Sequence, residues 1–496
     1  MNVVFIASEA VPFAKTGGLA DVLGALPRAI EKLGLNVSLF IPCYRRARHC
    51  GIRFTDLGLS IPLTIGTKVV EARIQRAMLP NSNVEVYLID NPGYFDRAEL
   101  YGENGADYPD NCERYIFFQR AVLEAIRLLK LRPDVLHCND WQTGLIPVYL
   151  DEIYRDTADF AEVGTLFTIH NIAYQGSFWH WDMPATGLDW RLFNWRQLEF
   201  HNRLNFLKSG LVYADLLSTV SPTYAREIQT PEFGAGFDGL LRARRHDLQG
   251  IVNGIDDLVW NPGVDDHILR QFDADKPQPG KGLCKAELQA EADLPVRPDV
   301  PLFAQIGRLD SQKGWDLLIE VADDLLCQDV QLVVLGVGQP RYHDLLAALA
   351  ARYPGKLRCF LEFSDTLSHR IEAGADIFLM PSLYEPCGLN QLYSLAYGTI
   401  PIVRSTGGLA DTVVDATKAA LELGTADGFA FREPTGHALR EAIGRALTLW
   451  GDRLAWQRLM GTAMRADWSW NRIAAAYLPV YGEVKGRRLK PSLRDR

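Results

Sequence analysis

Short apolar runs alternate along the chain with longer stretches of helical periodicity. In the first half these runs predict strands at Val3–Ala7, Val37–Ile41, Val84–Ile89, Val135–Cys138, Thr165–Thr168 and Leu216–Val220. In the second half they predict strands at Leu302–Ile306, Gln331–Leu335, Leu357–Leu361, Ile377–Met380 and Ile400–Val403. Continuous apolar strands separated by helices are typical of parallel sheets covered on both faces. The pattern predicts an α/β fold of two doubly wound, Rossmann-like domains facing across a deep cleft, with ligands beyond the carboxyl ends of the strands.

The length of the chain supports this division. It has 496 residues, too many for one hydrophobic core. The segment Asn261–Gly282 is rich in Pro, Gly and Asp, which indicates a linker or surface excursion. We expect an N-terminal domain over 1–255, a linker or excursion over 256–282 and a C-terminal domain over 283–466. A C-terminal helix and tail over 467–496, with the helix at Asp467–Tyr481, could return to the N-terminal domain.

Charge and composition exclude several classes of protein. The net charge is −9 and the basic run KGRRLK is short, so nucleic acid is not an expected partner. No apolar run approaches the ~20 residues that span a bilayer, so a membrane is not expected either. The eight cysteines are scattered and form no C-x-x-C pair, which indicates reduced thiols and a cytoplasmic setting.

The six residues TGGLAD occur twice, at Thr16–Asp21 and at Thr406–Asp411. Each copy follows a predicted strand and opens a predicted helix. Paired glycines permit unusual main-chain angles and the close approach of a ligand, and helix N-termini favour phosphate. Two such turns on facing domains could bind one diphosphate from both sides. The alternative is that each glycine pair only packs its helix closely against its strand.

Two cations and a carboxylate follow predicted strands of the second half. Arg308 and Lys313 lie in the loop after Leu302–Ile306, where they form a candidate phosphate clamp; solvated surface charges are the alternative. Glu385 follows Ile377–Met380 and precedes a helix from about Leu389. Its carboxylate could accept hydrogen bonds from sugar hydroxyls or could cap that helix. Cys387 is expected to be a small packing residue rather than a nucleophile.

The segment Ala173–Phe200 holds four of the eleven tryptophans: Trp179, Trp181, Trp190 and Trp195. Flat aromatic rings suit the path of an oligosaccharide, and ordinary core or interdomain packing is the alternative.

With these residues the chain resembles the glycogen and starch synthases of the bacterial and plant type. The matching stretches are KTGGL (15–19), HCNDW (137–141), TIHNIAYQG (168–176), SPTYAREI (221–228), VNGID (252–256), GRLDSQKG (307–314), YEPCGLNQLY (384–393) and STGGLADTV (405–413). The resemblance implies a double-Rossmann (GT-B) glycosyltransferase that transfers glucose from ADP-glucose to the non-reducing end of an α-1,4-glucan such as glycogen. It implies retention of the anomeric configuration, release of ADP, and no metal or other cofactor.

The resemblance also implies roles for individual residues. It places Lys15, Gly17 and Gly18 near the donor diphosphate. It also implies that Arg308 and Lys313 neutralise the leaving group. It implies that His170 and Glu385 hold glucose hydroxyls beside Asn253, that Asp140 and Asp21 belong to the active site, and that Phe363 lies near adenine. The further candidates are Cys387, Gly388, Leu389, Thr406, Gly407 and Gly408 for the donor, and Tyr174 and Gln175 for the acceptor.

Two departures from related transferases narrow the function. Many double-Rossmann relatives carry a second Glu eight residues after the position of Glu385, where this chain has Tyr393. That difference favours the glycogen and starch synthase branch and a front-face route in which the leaving phosphate takes the acceptor proton. Many relatives also have His where this chain has Gln142.

The triplet Asp273-Ala274-Asp275 is expected to be a solvated acidic run rather than a metal site.

Other functions stay open at this point. The chain could be a non-catalytic glucan-binding protein, or another nucleotide-sugar enzyme of the same fold such as an epimerase or a phosphorylase. The sequence also does not decide between ADP-glucose and UDP-glucose as the donor.

Overall fold

The computed structural model of the protein describes residues 1–103 and 105–488. The chain forms two compact units. The first unit comprises Met1–Asn253 and the described part of Trp470–Arg496, and the second comprises Gly254–Ser469. All eight cysteines lie in the described residues and are free thiols. Across the same residues, no helix combines the length and apolarity that a membrane crossing requires.

The first unit is an α/β unit. Its strands are β1 (Asn2–Ile6), β2 (Asn36–Pro42), β3 (Thr55–Ile65), β4 (Lys68–Met78), β5 (Glu85–Asp90), β6 (Gly102–Glu103), β7 (Ala106–Asp107), β8 (Val135–Asn139), β9 (Gly164–Ile169), β10 (Ser177–Trp179), β11 (Glu199–Phe200), β12 (Arg203–Asn205), β13 (Leu216–Thr219) and β14 (Leu248–Gly250). Its helices up to this point are α1 (Gly18–Lys32), α2 (Arg45–Arg48), α3 (Pro92–Phe95), α4 (Asn111–Leu128), α5 (Ile146–Tyr149), α6 (Phe206–Tyr213), α7 (Pro222–Glu227) and α8 (Asp238–Ala243).

The main sheet of the first unit has the strand order β14-β13-β9-β8-β1-β2-β5-β4-β3. The strands from β14 to β5 run parallel, and the hairpin of β3 and β4 joins β5 antiparallel at one edge. Strand β1 has β2 on one side and β8 on the other, so the chain order reverses there. At such a switch point, the loops after the strands diverge and leave room for a ligand.

The second unit has a six-stranded parallel sheet. Its strands are β15 (Leu302–Ile306), β16 (Gln331–Leu335), β17 (Leu357–Phe360), β18 (Ile377–Met380), β19 (Ile400–Arg404) and β20 (Phe429–Phe431). Its helices are α9 (Gly280–Glu291), α10 (Trp315–Leu326), α11 (Pro340–Arg352), α12 (Asp365–Gly374), α13 (Asn390–Ala396), α14 (Gly407–Thr412), α15 (Lys418–Leu423), α16 (Gly436–Gly451) and α17 (Arg453–Arg465). The order β17-β16-β15-β18-β19-β20 places the switch point between β15 and β18.

The predicted α/β class with parallel sheets is confirmed, and each predicted strand is present. Strands β8, β16 and β18 are buried along their whole length, as expected for strands covered on both faces. The second glycine turn opens the short helix α14, which ends at Thr412.

The expectation that residues 256–282 form a linker is wrong. This segment belongs to the second unit, and its Trp260 and Phe272 are each 6% exposed. The ring of Trp260 stacks between those of His369, at 3.8 Å, and Tyr393, at 3.7 Å. Large apolar rings among the prolines and aspartates therefore anchor the segment to the core of the unit.

The end of the chain is not one continuous helix over Asp467–Tyr481. Helix α18 (Trp470–Ile473) is followed by a 3₁₀ turn at Ala474–Ala476 and by α19 (Tyr477–Arg488). These elements belong to the first unit, where the Tyr481 hydroxyl lies 2.9 Å from Nδ1 of the buried His137 on β8. The last helix thus packs against a strand that leads to candidate site residues.

Candidate active site

In each unit, the sequence-predicted site residues lie in loops that follow neighbouring parallel strands. In the first unit these loops follow β1, β8 and β9, and β1 and β9 both pair with β8. In the second unit they follow β15, β18 and β19, and β18 pairs with both others. Two candidates are exceptions, because Asn253 follows β14 and Phe363 follows β17. The carboxyl ends of parallel strands meet at one edge of a sheet, so each unit gathers its candidates at one edge.

The loop after β1 is organised by a buried carboxylate that sequence reasoning missed. Glu9 is 4% exposed and accepts hydrogen bonds from the main-chain N–H of Thr16 and from its hydroxyl, which is 2.7 Å away. The hydroxyl of Tyr101 donates to the same carboxylate. Burial raises the pKa of Glu9, against the donated hydrogen bonds, which lower it. The position of Glu9 just after a predicted strand was the signal that could have identified it.

Beyond this loop, the first glycine pair opens α1. Gly17 is the N-cap residue, with an extended φ of −162°, and Gly18 is the first residue of the helix. A Cβ atom on Gly17 would meet nothing within 4 Å. Lys15, just before the pair, forms an ion pair with Asp21 in the first turn of α1, with Nζ and Oδ1 2.8 Å apart. The main chain at Gly17 is therefore open to an approaching group.

Asp140 occupies the turn after β8 in a strained conformation. Its angles, φ 56° and ψ −178°, are rarely adopted by residues other than glycine. The buried carboxylate accepts hydrogen bonds from the main-chain N–H groups of His170, at 2.7 Å, and Asn171. Burial raises the pKa of Asp140 to about 7, although these two donors lower it. Asp140 thus holds the start of the loop after β9 in place.

Hydrogen bonds around Asn139 determine which nitrogen of His170 carries a proton. The Asn139 amide nitrogen donates to the carbonyl groups of Ile6 and His137, at 3.2 and 3.0 Å. Its oxygen therefore faces Nε2 of His170, 2.9 Å away, and must accept from it. Burial lowers the pKa of His170 to about 3, so the ring is neutral at neutral pH. Nδ1 is left with a lone pair that can accept a hydrogen bond from a hydroxyl.

The other candidates of the first unit differ in their surroundings. Tyr174 is 47% exposed. The side-chain amide of Gln175 is engaged within the unit, because its nitrogen donates to the Ala235 carbonyl at 3.0 Å and its oxygen accepts from Asn205 at 3.2 Å. Gln175 therefore fixes its own loop. Asn253 is 5% exposed, at the end of the first segment of this unit.

In the second unit, the loops after β15 and β18 bring Lys313 and Glu385 together. Nζ of Lys313 lies 2.7 Å from Oε2 of Glu385, whose side chain is 6% exposed. The Ser382 hydroxyl donates to the same oxygen at 3.1 Å. The clamp lysine and the candidate sugar-binding carboxylate are thus direct partners, although 72 positions separate them in sequence.

Arg308 lies in the same loop as Lys313 and is more exposed. Its side chain is 48% exposed, and Nη2 lies 3.3 Å from Oε1 of Gln312 and 3.5 Å from Oδ2 of Asp310. Its carbonyl accepts from the indole of the buried Trp315 at 2.7 Å. The main chain of Arg308 is therefore fixed by the core, while its guanidinium can reach an anion.

The second glycine pair is packed against the loop after β18. Gly407 has φ +46°, and a Cβ there would lie 1.9 Å from the carbonyl oxygen of Glu385. A Cβ on Gly408 would lie 2.2 Å from the carbonyl oxygen of Cys387. Thr406, the N-cap residue of α14, is 1% exposed. At this copy the glycine pair lets the turn approach the main chain that carries Glu385 and Cys387.

The residues between Glu385 and α13 form a tight turn. Cys387 is buried, at 4% exposure, which fits a packing residue. Gly388 has φ +74°, and a Cβ there would lie 2.4 Å from Oε1 of Gln391. Leu389 is the N-cap residue of α13, which begins one residue later, close to the predicted start. This turn fixes the main chain that carries Glu385.

Three further residues have distinct environments. Phe363 follows β17 and is 70% exposed, so its ring is available for stacking. Gln142 is 5% exposed, and its Oε1 has no hydrogen-bond partner among the described residues. Tyr393, where relatives carry a second glutamate, is 6% exposed and packs on Trp260.

The Asp273-Ala274-Asp275 triplet forms a local turn. Oδ1 of Asp273 accepts from the main-chain N–H groups of Asp275 and Lys276, at 2.9 and 2.8 Å, and Asp275 pairs with Arg465 at 3.1 Å. Within residues 1–103 and 105–488, no group of three or more His, Cys, Asp or Glu side chains is arranged to hold a metal ion.

Two family models match the chain, one in each unit. Residues 2–243 match the starch synthase catalytic domain, and residues 289–458 match the glycosyl transferases of group 1. With the two parallel sheets and the residues at their carboxyl edges, these matches define a glycosyltransferase.

Similar proteins align over nearly the whole chain. Glycogen synthase from Rhodopirellula baltica is 44% identical, over 98% of each chain. Glycogen synthase from Anaeromyxobacter dehalogenans is 47% identical, over 97% of this chain and 99% of its own. The chain belongs to the glycogen synthase family.

A solved structure supports the same assignment. The catalytic domain of Starch Synthase IV from Arabidopsis thaliana, bound to ADP and acarbose, is 31% identical, with a TM-score of 0.91 over 98% of this chain and 99% of that one. The predicted GT-B fold of two Rossmann-like domains is confirmed.

Proposed function

We propose that the chain transfers glucose from ADP-glucose to the non-reducing end of an α-1,4-glucan such as glycogen, retains the anomeric configuration and releases ADP. We also propose that it uses no metal or other cofactor. One observation carries the proposal. In a chain of the glycogen synthase family, Lys313 contacts Glu385 at the carboxyl edge of the second sheet, and Arg308 lies in the same loop as Lys313. The named relatives and the ADP-bound starch synthase structure support the choice of substrates.

The reaction requires positive charge at the donor diphosphate. As the bond from the anomeric carbon to the phosphate oxygen breaks, the diphosphate gains negative charge and the sugar ring gains positive character. Fixed cations that face the diphosphate stabilise this charge without rearranging during the step. Arg308 offers two parallel N–H donors, and Lys313 offers a compact charge. In the first unit, Lys15 and the open main chain at Gly17 are suited to bind an anion.

Hydrogen-bond acceptors position the glucose ring. In the first unit, Nδ1 of His170 can accept from a sugar hydroxyl, because Nε2 is committed to Asn139. In the second unit, one Glu385 oxygen is held by Lys313 and Ser382, which leaves the other oxygen for a sugar hydroxyl. Asp140 acts through the main chain of the loop that carries His170.

Retention follows a front-face route in this proposal. Tyr393 stands where relatives have a second glutamate, and its ring is committed to the stack with Trp260. The acceptor hydroxyl then attacks from the side that the diphosphate leaves, and the departing phosphate oxygen takes its proton. The exposed ring of Phe363 is suited to stack on adenine, and its stacking would serve uracil equally.

The test is incorporation of label from radiolabelled ADP-glucose into glycogen by the purified protein. We expect labelled polymer only when glycogen is present. A glucosidase specific for α-1,4 linkages should release the label. A metal chelator should leave the amount of labelled polymer unchanged. Unlabelled UDP-glucose as a competitor measures the preference for the base. A protein that binds glycogen but leaves it unlabelled contradicts the proposal.

The same assay separates the alternative functions. An epimerase would convert the donor without an acceptor, and a phosphorylase would release glucose phosphate from glycogen and inorganic phosphate. A non-catalytic binding protein would do neither. The presence of Lys15, His170, Arg308, Lys313 and Glu385 in one chain favours catalysis over these possibilities.

A further inference from the structure

The loops after β15 and β18 are joined at one buried glutamine of the second unit. Gln312 is 9% exposed and lies in the 3₁₀ turn Ser311–Lys313, which follows β15. Its main-chain carbonyl accepts from the Leu383 N–H, at 2.8 Å, in the loop after β18. The Leu383 carbonyl in turn accepts from the guanidinium of Arg404, at the end of β19. Gln312 therefore lies where the loop of the two clamp cations meets the loop of Glu385.

The side-chain amide of Gln312 connects the same two loops. Its nitrogen donates to the Tyr384 carbonyl, and its oxygen accepts from Nη2 of Arg308, each at 3.3 Å. Only the nitrogen can donate to a carbonyl, and only the oxygen can accept from a guanidinium, so the two contacts fix the orientation of the amide. One side chain thus links the guanidinium of Arg308 to the residue that precedes Glu385.

The turn that carries Gln312 is itself held by hydrogen bonds to the main chain of Lys313. The side-chain amide of Gln305, on β15, donates to the Lys313 carbonyl at 3.1 Å. Oδ1 of Asp310, the N-cap residue of the turn, accepts from the Lys313 N–H at 3.3 Å. Gln312 therefore projects from a fixed base, and its amide can hold a more mobile group in place.

Arg308 is such a group, because its side chain is 48% exposed. A long side chain that is oriented before a ligand binds loses less conformational freedom on binding. A carboxylate close to the guanidinium would orient it but would also offset the positive charge that an anion requires; Oδ2 of Asp310 lies at 3.5 Å. A neutral amide oxygen orients the guanidinium and leaves its charge intact.

We propose that Gln312 is a positioning residue for the donor diphosphate. Its amide oxygen orients the guanidinium of Arg308, and its amide nitrogen ties that group to the loop of Glu385. The proposal rests on the proposed function, in which Arg308 faces the diphosphate. Gln312 acts through Arg308, so it contributes to the affinity for ADP only when Arg308 is present.

Gln289 provides a matched control in the same unit. It has no exposed area, and its amide nitrogen donates to the Arg297 carbonyl at 3.1 Å and to Oε1 of Gln331 at 2.6 Å. Gln331 is the first residue of β16, so these contacts lie at the amino edge of the parallel sheet. Gln289→Met therefore removes a buried amide of the same kind at the edge opposite the candidate site.

The experiment measures the binding of ADP by calorimetry, which requires no transfer. It compares the unchanged protein with Gln312→Met, Gln289→Met, Arg308→Ala and Gln312→Met/Arg308→Ala. We expect Gln312→Met to lose affinity roughly three- to tenfold, as for the loss of one hydrogen bond, and Gln289→Met to bind as the unchanged protein does. In the Arg308→Ala background, Gln312→Met should change the affinity by less than about twofold. In the transfer assay, Gln312→Met should raise KM for ADP-glucose and leave KM for glycogen unchanged.

Gln312→Glu tests whether the acceptor must be neutral. Its side chain has nearly the same shape and still accepts from Arg308, but it cannot donate to the Tyr384 carbonyl, and its charge offsets that of the guanidinium. We expect Gln312→Glu to bind ADP more weakly than Gln312→Met does. The melting temperature and ADP affinity of Gln289→Met show how much of any loss comes from a less stable fold alone.

Several results would overturn the inference. If Gln312→Met or Gln312→Glu binds ADP as tightly as the unchanged protein, Gln312 does not position Arg308. If Gln312→Met loses as much affinity in the Arg308→Ala background as alone, Gln312 acts independently of Arg308. If Gln289→Met loses affinity to the same extent, the effect is one of stability. A protein that binds no ADP contradicts both this inference and the proposed function. One that shows the expected pattern but leaves glycogen unlabelled refutes the proposed transfer alone.

Discussion

The main chain at Gly407 lies so close to Glu385 that a Cβ atom on Gly407 would sit 1.9 Å from the Glu385 carbonyl oxygen. The equivalent residue of the first TGGLAD copy, Gly17, has nothing within 4 Å of its Cβ position. The same six-residue sequence is therefore closely packed at Gly407 and open at Gly17. At Gly407 the absence of a side chain permits packing that fixes a candidate site residue, and at Gly17 it leaves an open approach.

Alanine substitutions at the two glycines should separate these roles. Gly407→Ala must move the Glu385 main chain and place a side chain at φ +46°, so we expect a loss of ~2 kcal/mol or more of stability and a lower melting temperature. Gly17→Ala, at an extended φ, should melt within a few degrees of the unchanged protein. Its kcat/KM for the donor should fall, because the new methyl group occupies the open approach. Equal melting temperatures for the two variants would contradict this distinction.

Lys313 should matter for both turnover and stability. The sequence alone suggests that replacing Lys313 or Arg308 suppresses turnover far more than folding. The structure adds that Lys313→Ala leaves the buried Glu385 carboxylate without its cation, which we expect to cost ~1–3 kcal/mol of stability. Turnover should fall by about 100-fold, as for loss of a group that stabilises transition-state charge. Calorimetry and initial rates measure the two effects.

A double variant distinguishes the effect of Lys313 on stability from its effect on turnover. Lys313→Ala/Glu385→Gln removes the unpaired carboxylate, so its melting temperature should recover towards that of the unchanged protein while activity stays low. Arg308→Ala, whose side chain is half exposed, should lose activity with little change in melting temperature. If Arg308→Ala melts as early as Lys313→Ala, the distinction between the two cations is wrong.

Glu9 should act as a positioning residue for the loop that ends at Gly17. Glu9 accepts from the main-chain N–H of Thr16 and from the hydroxyls of Thr16 and Tyr101, so Glu9→Gln places an N–H₂ group where one oxygen accepts, and the groups facing it must reorient. We expect kcat/KM for the donor to fall by ~10-fold or more while KM for glycogen changes little. Tyr101→Phe, which removes one donor and adds no conflict, should have a smaller effect. A general loss that affects donor and acceptor equally would indicate a purely structural role.

Glu372 should make stability depend on pH. It is 1% exposed, burial raises its pKa to about 8, and its Oε2 accepts from Ser394 at 2.7 Å. Because the pKa of Glu372 is raised in the folded state, protonation of Glu372 stabilises the fold. This stabilisation is fully present below pH 4.5, the ordinary pKa, and is lost as the pH rises through about 8. The melting temperature of the unchanged protein should therefore fall more between pH 5 and 8 than that of Glu372→Gln.

The buried Lys281 sets the upper limit of the pH range in which the effect of Glu372 can be measured. Burial lowers its pKa to about 8, so its contribution to stability grows as the pH rises above that value and opposes the loss at Glu372. Melting curves for Glu372→Gln should thus be compared below pH 8. Parallel pH profiles of the two proteins over pH 5 to 8 would show that Glu372 does not titrate there.

The sequence by itself determined the parallel strands and the family. Strands β15, β16 and β18 have the bounds predicted from apolar runs. This succeeds because a strand buried on both faces needs a continuous apolar run, which is a local property. The hairpin of β3 and β4 was missed because its residues alternate between buried and exposed, and it forms no such run. The ordered motifs were specific enough to indicate both the class of enzyme and its candidate residues.

Only the tertiary structure decided what those residues touch. It made Lys313 the partner of Glu385, placed Glu9 beneath the first glycine turn, and buried Trp260 in what had been interpreted as a linker. It also exposed Trp181 while burying Leu192 in the same segment. Each of these outcomes depends on neighbours from other strands and loops. Residue type and spacing fix local conformation, but the environment of a side chain is set by chain segments that are distant in sequence.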